Sequence, residues 1–512
     1  MLNESRNTFL SKYYTAILIV VFGILLRLPL VFLPLNYMTY PWRPADTASI
    51  AHNFAINGYR LFYPQINWGG AGPGYIEGEF QLYPFIVALL YGLFGEHIWL
   101  GKLVSLGFTS LTFIIFYALA HRLFKPRIAL WALAFFVVSP LDVLYGVEFM
   151  PEATVLFFYI TALFLFQKWL DDQKLVLLFL AATSTALAVL VKPTSVHIGF
   201  IFLFLLFERY LLRTFIKWQV WLYTTISLFP GIIWYLHAHN LYLEYGNTFG
   251  VISGGDSKFG NVLSYWLSPS FFRSLLNIET TWILPGVSVL AFILGVVLYL
   301  QKRETSLLLF GIIAVFIYYT IIPRYTSFAD YYHIYFVPFA ALAVGIGVEW
   351  LYNQSKELFT RKGIVYYIAG LTGLVAIILI WSLSFASYST LFQPQAQNLI
   401  DCARLVSTIV PDKDRVVIST EAYANENGVP NNYQDPTIFF FSNRYGWSLP
   451  SDEHTPAQLE QFEKQGAKYF VIYSDTLYHS NPDLAKFLES NAEQIGPGID
   501  AGCGIYRLSS SF

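Results

Sequence analysis

Apolar runs of bilayer length punctuate the first three quarters of the chain. In order they lie at roughly 15–35, 97–120, 128–147, 152–170, 175–192, 194–212, 218–237, 283–301, 305–322, 331–352 and 364–385. An α-helix needs about 20 apolar residues to cross a hydrocarbon core about 30 Å thick, so about eleven transmembrane helices are expected. The first run is too long for a signal-peptide core and lacks a small-residue cleavage site, so it is expected to remain as an anchor. Phe80 to Gly95 is also apolar, but at about 16 residues it makes only about 24 Å of helix.

Basic residues decide the placement of that short segment. If it does not span, then ahead of the C-terminal domain the inner side receives most of the Lys and Arg, among them Arg122, Lys125, Arg127, Arg209, Arg213 and Lys217. The longer outer loops keep only a scatter, among them Arg43, Arg60, Lys192 and Arg324. That asymmetry is the positive-inside rule. The expected topology therefore has the N-terminus inside, the C-terminus outside, a long first outer loop at 36–96 and a second large outer loop at 239–281. The expected location is a cell membrane, inner or plasma, with the chemistry facing the periplasm or exterior.

Beyond about residue 385 the pattern shortens. Alternating stretches at 415–419 and 467–473 sit among amphipathic helical patterns at 396–409, 455–465 and 482–490. We read 1–385 as a transmembrane domain and 386–512 as a small extracytoplasmic α/β domain. Both cysteines, Cys402 and Cys503, fall in the latter, and an oxidising compartment favours their pairing.

Composition sharpens the class. With 56% hydrophobic and 12% charged residues, the chain is far from the roughly 25% charged composition of soluble domains. Aromatic residues reach 19%, in keeping with interfacial belts. A net charge of −2 gives no reason to expect a nucleic-acid partner.

Ionisable residues inside apolar runs are expensive and by default functional candidates. Here they gather at one depth, the outer ends of the runs: Arg27, Lys102, Asp142, Glu148, Glu152, Lys192, His197, Arg324, Asp330 and His333. A transporter places polar groups and broken helices near the bilayer centre. An enzyme acting on a lipid-linked substrate needs acid–base and phosphate-binding groups at headgroup level, and the second pattern is the one found. A lipid-linked-sugar flippase or transporter is the alternative. In the first loop Asp46 heads an interfacial helical pattern that Gly58 can end; it reads either as an N-cap or as a carboxylate at the membrane surface. The glycine-rich run 69–79 lacks the Gly-Lys-Ser/Thr of a P-loop and is expected to be a mobile loop presenting Glu77 and Glu79. Outer loops show no cluster at metal-ligand spacing, so neither metal nor cofactor is expected.

Several motifs occur in a telling order. Asp46 is followed by Glu79-Phe-Gln-Leu-Tyr-Pro84, an apolar helix ending Leu93-Phe-Gly95, and Leu100-Gly-Lys-Leu-Val-Ser105. Later come Arg122-Leu-Phe, Val191-Lys-Pro193, and Asp330-Tyr-Tyr-His333 with Pro338. Over residues 10–350 this set resembles the polyprenyl-phosphate-sugar-dependent glycosyltransferases of the C superfamily, in the branch of the dolichyl-phosphate-mannose protein mannosyltransferases and the lipid A aminoarabinose transferase. The resemblance implies Asp46 as the catalytic carboxylate and Glu79 as the second acid of the loop, with Glu77 as its stand-in. Two departures stand out. Lys102 occupies a place where the family often has arginine, and a lysine offers a point charge without the bidentate fork. Asp46 is followed by Thr47, so the acidic pair of the protein mannosyltransferases is missing.

The implied chemistry is transfer of one sugar, with inversion, from a polyprenyl-phosphate donor to an unidentified lipid, glycan or protein acceptor. Asp46 acts as general base. Lys102, Lys192, Arg27 and Arg324 are candidates to neutralise the lipid phosphate. Glu152, Asp330, Tyr331, Tyr332 and His333 are candidates to line the donor site. Structural alternatives remain for several of these: Lys192 as a snorkelling side chain, Arg27 as the partner of a loop acid, and the tyrosines as an interfacial belt.

Overall fold

The computed structural model describes residues 2–253, 262–302, 306–360, 389, 392–424, 431, 433–479 and 481–508. The chain divides into two compact units. One comprises Met1–Leu33, Lys102–Leu236 and Gly254–Phe392; the other comprises Pro34–Gly101, His237–Ser253 and Gln393–Phe512.

The first unit is helical. Among the described residues, five helices are long and apolar enough to cross a membrane: Tyr13–Val31, Ile98–Leu123, Glu152–Asp172, Pro193–Ile216 and Asp330–Ser355. A sixth is obtained if Pro269–Ile283 and Ser288–Gln301, bent by 102°, count as one. Of the roughly eleven expected spans, five or six among the described residues meet that length and composition in one helix, and prolines shorten several of the others. Residues before proline avoid the helical region. Ser139, extended ahead of Pro140, splits the run at 128–147 into Pro126–Val138 and Pro140–Tyr145. Lys192, extended ahead of Pro193, stops Leu175–Val191 at 17 residues. Pro285 and Gly286 (φ +60°) fall in the bend between Ile283 and Ser288, and Pro323 follows Leu307–Ile321. The run at 364–385 lies outside the described residues.

The second unit is built on a five-stranded sheet: β1 (Arg415–Thr420), β2 (Gly446–Pro450), β3 (Ala467–Ile472), β4 (Ala492–Gln494) and β5 (Gly504–Leu508). Its order is β2-β1-β3-β5-β4, with β1 parallel to both neighbours and β5 antiparallel to both of its own. Side-chain alternation sends Val417, Phe470, Ile472, Tyr506 and Leu508 to one face, where Leu459, Phe462, Leu484 and Leu488 of the helices Pro456–Lys464 and Pro482–Asn491 cover them. Val416, Ile418, Tyr469, Val471 and Ile505 face the other way. There they pack with Leu399, Cys402 and Val406 of helix Gln397–Ile409, and with Ile50, Phe54, Ile66, Trp68, Ile76 and Ala88 of the first loop. Cys402 and Cys503 form a disulfide.

The glycine-rich stretch, expected to be a mobile loop, is hydrogen-bonded onto the sheet edge. Gly70 N–H donates to Gly446 O at 2.7 Å and Gly446 N–H to Asn67 O at 3.0 Å. Arg415 donates to the carbonyls of Gly70 and Ala71. The turn closes through Ile66 N–H to Gly74 O at 2.9 Å. Gly74 has φ +72°, and a Cβ there would come within 2.6 Å of Ile66 O, so glycine is required. The apolar segment after it forms the helix Leu82–Phe94, whose 13 residues span about 20 Å, too little to cross a bilayer core alone.

Candidate active site

The second unit gathers the acids of the first loop. Helix Trp42–Ile56 begins right after Pro41, so Asp46 sits one turn inside it and is no N-cap. The helix buries Pro44 through Ala51, and Asp46 is only 3% exposed. Its Oδ1 accepts the indole N–H of Trp68 at 3.0 Å. Arg43, three residues earlier on the same helix, donates from Nη2 to Glu79 Oε1 at 3.1 Å. Burial pushes the Asp46 carboxyl up to about 8. The Trp68 hydrogen bond and the Arg43 charge oppose that shift, while Asp435 and Glu79 add to it. The dominance of desolvation marks a carboxylate placed where its charged form is disfavoured, a common property of catalytic acids and bases.

Asp435 was not foreseen. It comes from the C-terminal part of the chain, accepts Thr437 N–H at 2.8 Å and bonds the Tyr40 hydroxyl. Burial pushes it up to about 6. Trp68 was missed as well. Neither is adjacent to Asp46 in sequence, so only the tertiary fold brings them there. Arg43 did carry a sequence signal, since spacing i, i+3 puts it beside Asp46 on a helix. Glu77 is fully buried, and its carboxylate accepts from Thr248 Oγ1, from Ile252 N–H at 2.9 Å and from Val251 N–H at 3.4 Å.

The helical unit holds several of the remaining candidates in ion pairs. Fully buried Arg27 meets Asp142 at 2.7 Å and donates to Gly23 O and Val137 O. Lys102 Nζ lies 3.5 Å from Glu148, whose Oε1 also takes Phe149 N–H. Lys192 Nζ meets Glu152 at 2.6 Å and lies against the ring faces of Tyr331 and Tyr332, 4.5 and 4.6 Å from their centroids. Asp330 accepts the Tyr145 hydroxyl at 2.6 Å. His333 is held between Glu279 (2.7 Å) and Thr326 O (2.8 Å). Arg324 lies in the short helix Pro323–Thr326. Removing one partner of such a buried pair leaves an uncompensated charge, which is strongly unfavourable. Among the described residues no group of three or more His, Cys, Asp or Glu is placed to hold a metal ion.

Residues 81–234 match the family model described as dolichyl-phosphate-mannose-protein mannosyltransferase. No curated protein is similar in sequence at a significant level. Solved structures share the fold at low identity. ArnT from Cupriavidus metallidurans, bound to undecaprenyl phosphate, superposes with a TM-score of 0.59 at 12% identity over 99% of this chain and 98% of its own. The oligosaccharyltransferase AglB from Archaeoglobus fulgidus, in complex with an inhibitory peptide and a dolichol-phosphate, gives 0.58 at 13% identity over 98% of this chain and 75% of its own. Over residues 81–234 the chain is thus similar to that mannosyltransferase family model, and over nearly its whole length it shares its fold with these two structures.

Proposed function

We propose that the protein is an integral-membrane glycosyltransferase that moves a single sugar from a polyprenyl-phosphate donor to an acceptor hydroxyl at the extracytoplasmic face of the membrane. The carrying observation is Asp46: buried, oriented by Trp68, and flanked by the Arg43–Glu79 pair. In this reading the ionised Asp46 accepts the proton of the acceptor hydroxyl as its oxygen bonds to the anomeric carbon. The bond from that carbon to the phosphate oxygen breaks on the opposite side, inverting the centre and releasing polyprenyl phosphate. Glu79, steadied by Arg43, orients the sugar or the acceptor. Lys102 and Lys192, the lysines that the order of motifs offers for this role, are the candidates to neutralise the departing phosphate as point charges. The twelve- and thirteen-per-cent-identical structures bound to undecaprenyl phosphate and dolichol-phosphate support the donor class.

The test is sugar transfer from synthetic polyprenyl-phosphate sugars by the detergent-purified protein, wild type against Asp46→Asn. Transfer by the wild type and its collapse in the variant are expected. Full activity in a folded Asp46→Asn protein would remove the proposed base. Movement of the intact lipid-linked sugar across proteoliposomes without conversion would favour a carrier instead.

A further inference from the structure

Glu77 uses both its backbone and its carboxylate in hydrogen bonds to one short segment, residues 247–252. Its backbone pairs in parallel with residues 247–249: Glu77 N–H donates to Asn247 O at 3.0 Å and Phe249 N–H donates to Glu77 O at 2.9 Å. Its carboxylate takes Thr248 Oγ1 and the N–H groups of Val251 and Ile252. Asn247 Nδ2 adds a bond to Tyr75 O at 3.0 Å. A buried carboxylate with one hydroxyl and two backbone N–H donors is well satisfied and firmly held.

The segment so held presents Phe249 to the site. The Phe249 ring meets Trp68 edge to face, with centroids 6.1 Å apart, and the Arg43 guanidinium lies over it at 5.7 Å. Phe249 also fills the space beside Gly78, where a Cβ would approach its Cδ2 to 2.7 Å. Trp68 is the donor that holds Asp46, and Arg43 is the cation that holds Glu79. One aromatic ring therefore touches the partner of each proposed catalytic acid.

We propose that Glu77 is a positioning residue: by locking residues 247–252 it keeps Phe249 wedged against Trp68 and Arg43, and so sets the orientation and water exclusion of Asp46 and Glu79. This rests on the reading of Asp46 as the base. It assigns Glu77 to the loop rather than to the substrate, and it makes the start of the second large outer loop a part of the catalytic apparatus.

The full-length protein in detergent tests this with Glu77→Gln, Phe249→Ala and the double variant. Three quantities are measured. The first is hydrogen exchange of the 246–253 amides. The second is the pH midpoint of the Asp46 carboxyl, followed as the infrared band that Asp46→Asn abolishes. The third is transfer from a synthetic polyprenyl-phosphate sugar. Glu77→Gln puts an amide where Oε2 accepts from Val251 N–H, so the segment should exchange faster. Water reaching Asp46 should lower its midpoint by on the order of one pH unit. Transfer should fall roughly tenfold in kcat with a smaller change in KM for the donor. Phe249→Ala should reproduce the midpoint change, and the double variant should go no further than either single one. Faster exchange with an unmoved midpoint, or fully additive effects in the double variant, would overturn the proposal. If the wild type transfers no sugar, the functional reading falls, and the exchange and infrared measurements still decide the role of Glu77.

Discussion

Replacing the Asp46 carboxylate by a carboxamide removes the ionisable group and keeps an oxygen for the Trp68 N–H. Asp46→Asn should therefore fold, with a melting temperature no lower than the wild type at neutral pH, while transfer falls by about 10²-fold or more, the usual scale for a lost general base. The pH dependence follows from the same burial. The folded carboxyl holds its proton more tightly than an ordinary one, about 8 against 3.8. Its contribution to stability is complete below the ordinary value, shrinks as the pH climbs, and is gone once the pH has passed about 8. Asp46→Asn should flatten that decline in a melting series. In kinetics, kcat/KM should rise with pH through a limb near 8, because only the ionised base takes the proton. Arg43 draws the Asp46 carboxyl down and Glu79 pushes it up. Arg43→Gln should therefore move the limb to higher pH, and Glu79→Gln to lower pH, besides lowering the rate.

At the level of elements, two joints carry the proposal. The turn at 66–74 hangs on the edge of β2, and Gly69, Gly70 and Gly74 in it leave no room for a side chain. A Cβ on Gly69 would lie 2.5 Å from Gly74 Cα. Gly69→Ala is expected to cost about 1–3 kcal/mol and to loosen the stretch that leads to Glu77 and Glu79, seen as a lower melting temperature and a reduced rate together. The second joint is the Lys192–Glu152 pair between the ends of Leu175–Val191 and Glu152–Asp172. Lys192→Met strands a buried carboxylate and should destabilise the helical unit by about 3–5 kcal/mol. Lys192→Met with Glu152→Gln should recover the fold without recovering transfer, if Lys192 meets the phosphate. A double variant as active as wild type would reduce Lys192 to a structural role.

For the whole molecule, the sheet is the frame of the first loop. Ending the chain at residue 392 would bare Ile50, Phe54, Trp68 and Ile76. Such a truncation should abolish transfer to every acceptor, with the first loop becoming protease-sensitive; a change confined to acceptor choice would contradict this. Much of the architecture was legible in the sequence where periodicity is strong. The helices Gln397–Ile409, Pro456–Lys464 and Pro482–Asn491 and the strands β1 and β3 announce themselves by pattern. The strands β2, β4 and β5 do not: they are 5, 3 and 5 residues long, and Gly-Trp-Ser-Leu-Pro has little alternation to read. Apolar runs were legible too, but their division by Ser139-Pro140 and by Pro285-Gly286 was underweighted against hydropathy. In the candidate site Asp46 and Glu79 are visible as acids in the long first loop. Trp68, Phe249 and Asp435 acquire meaning only when strands and loops far apart in sequence meet, which no local pattern encodes.

That shared hydrophobic face also fixes an order of events at birth. A ribosome makes Ile50, Trp68 and Ile76 long before it makes Leu399, Val416 and Ile505, the residues that cover them. At about 5–20 residues per second, the loop that carries Asp46 waits on the order of tens of seconds without its lining. Until roughly its last hundred residues have emerged, the nascent chain keeps these apolar side chains without the partners that cover them in the folded protein.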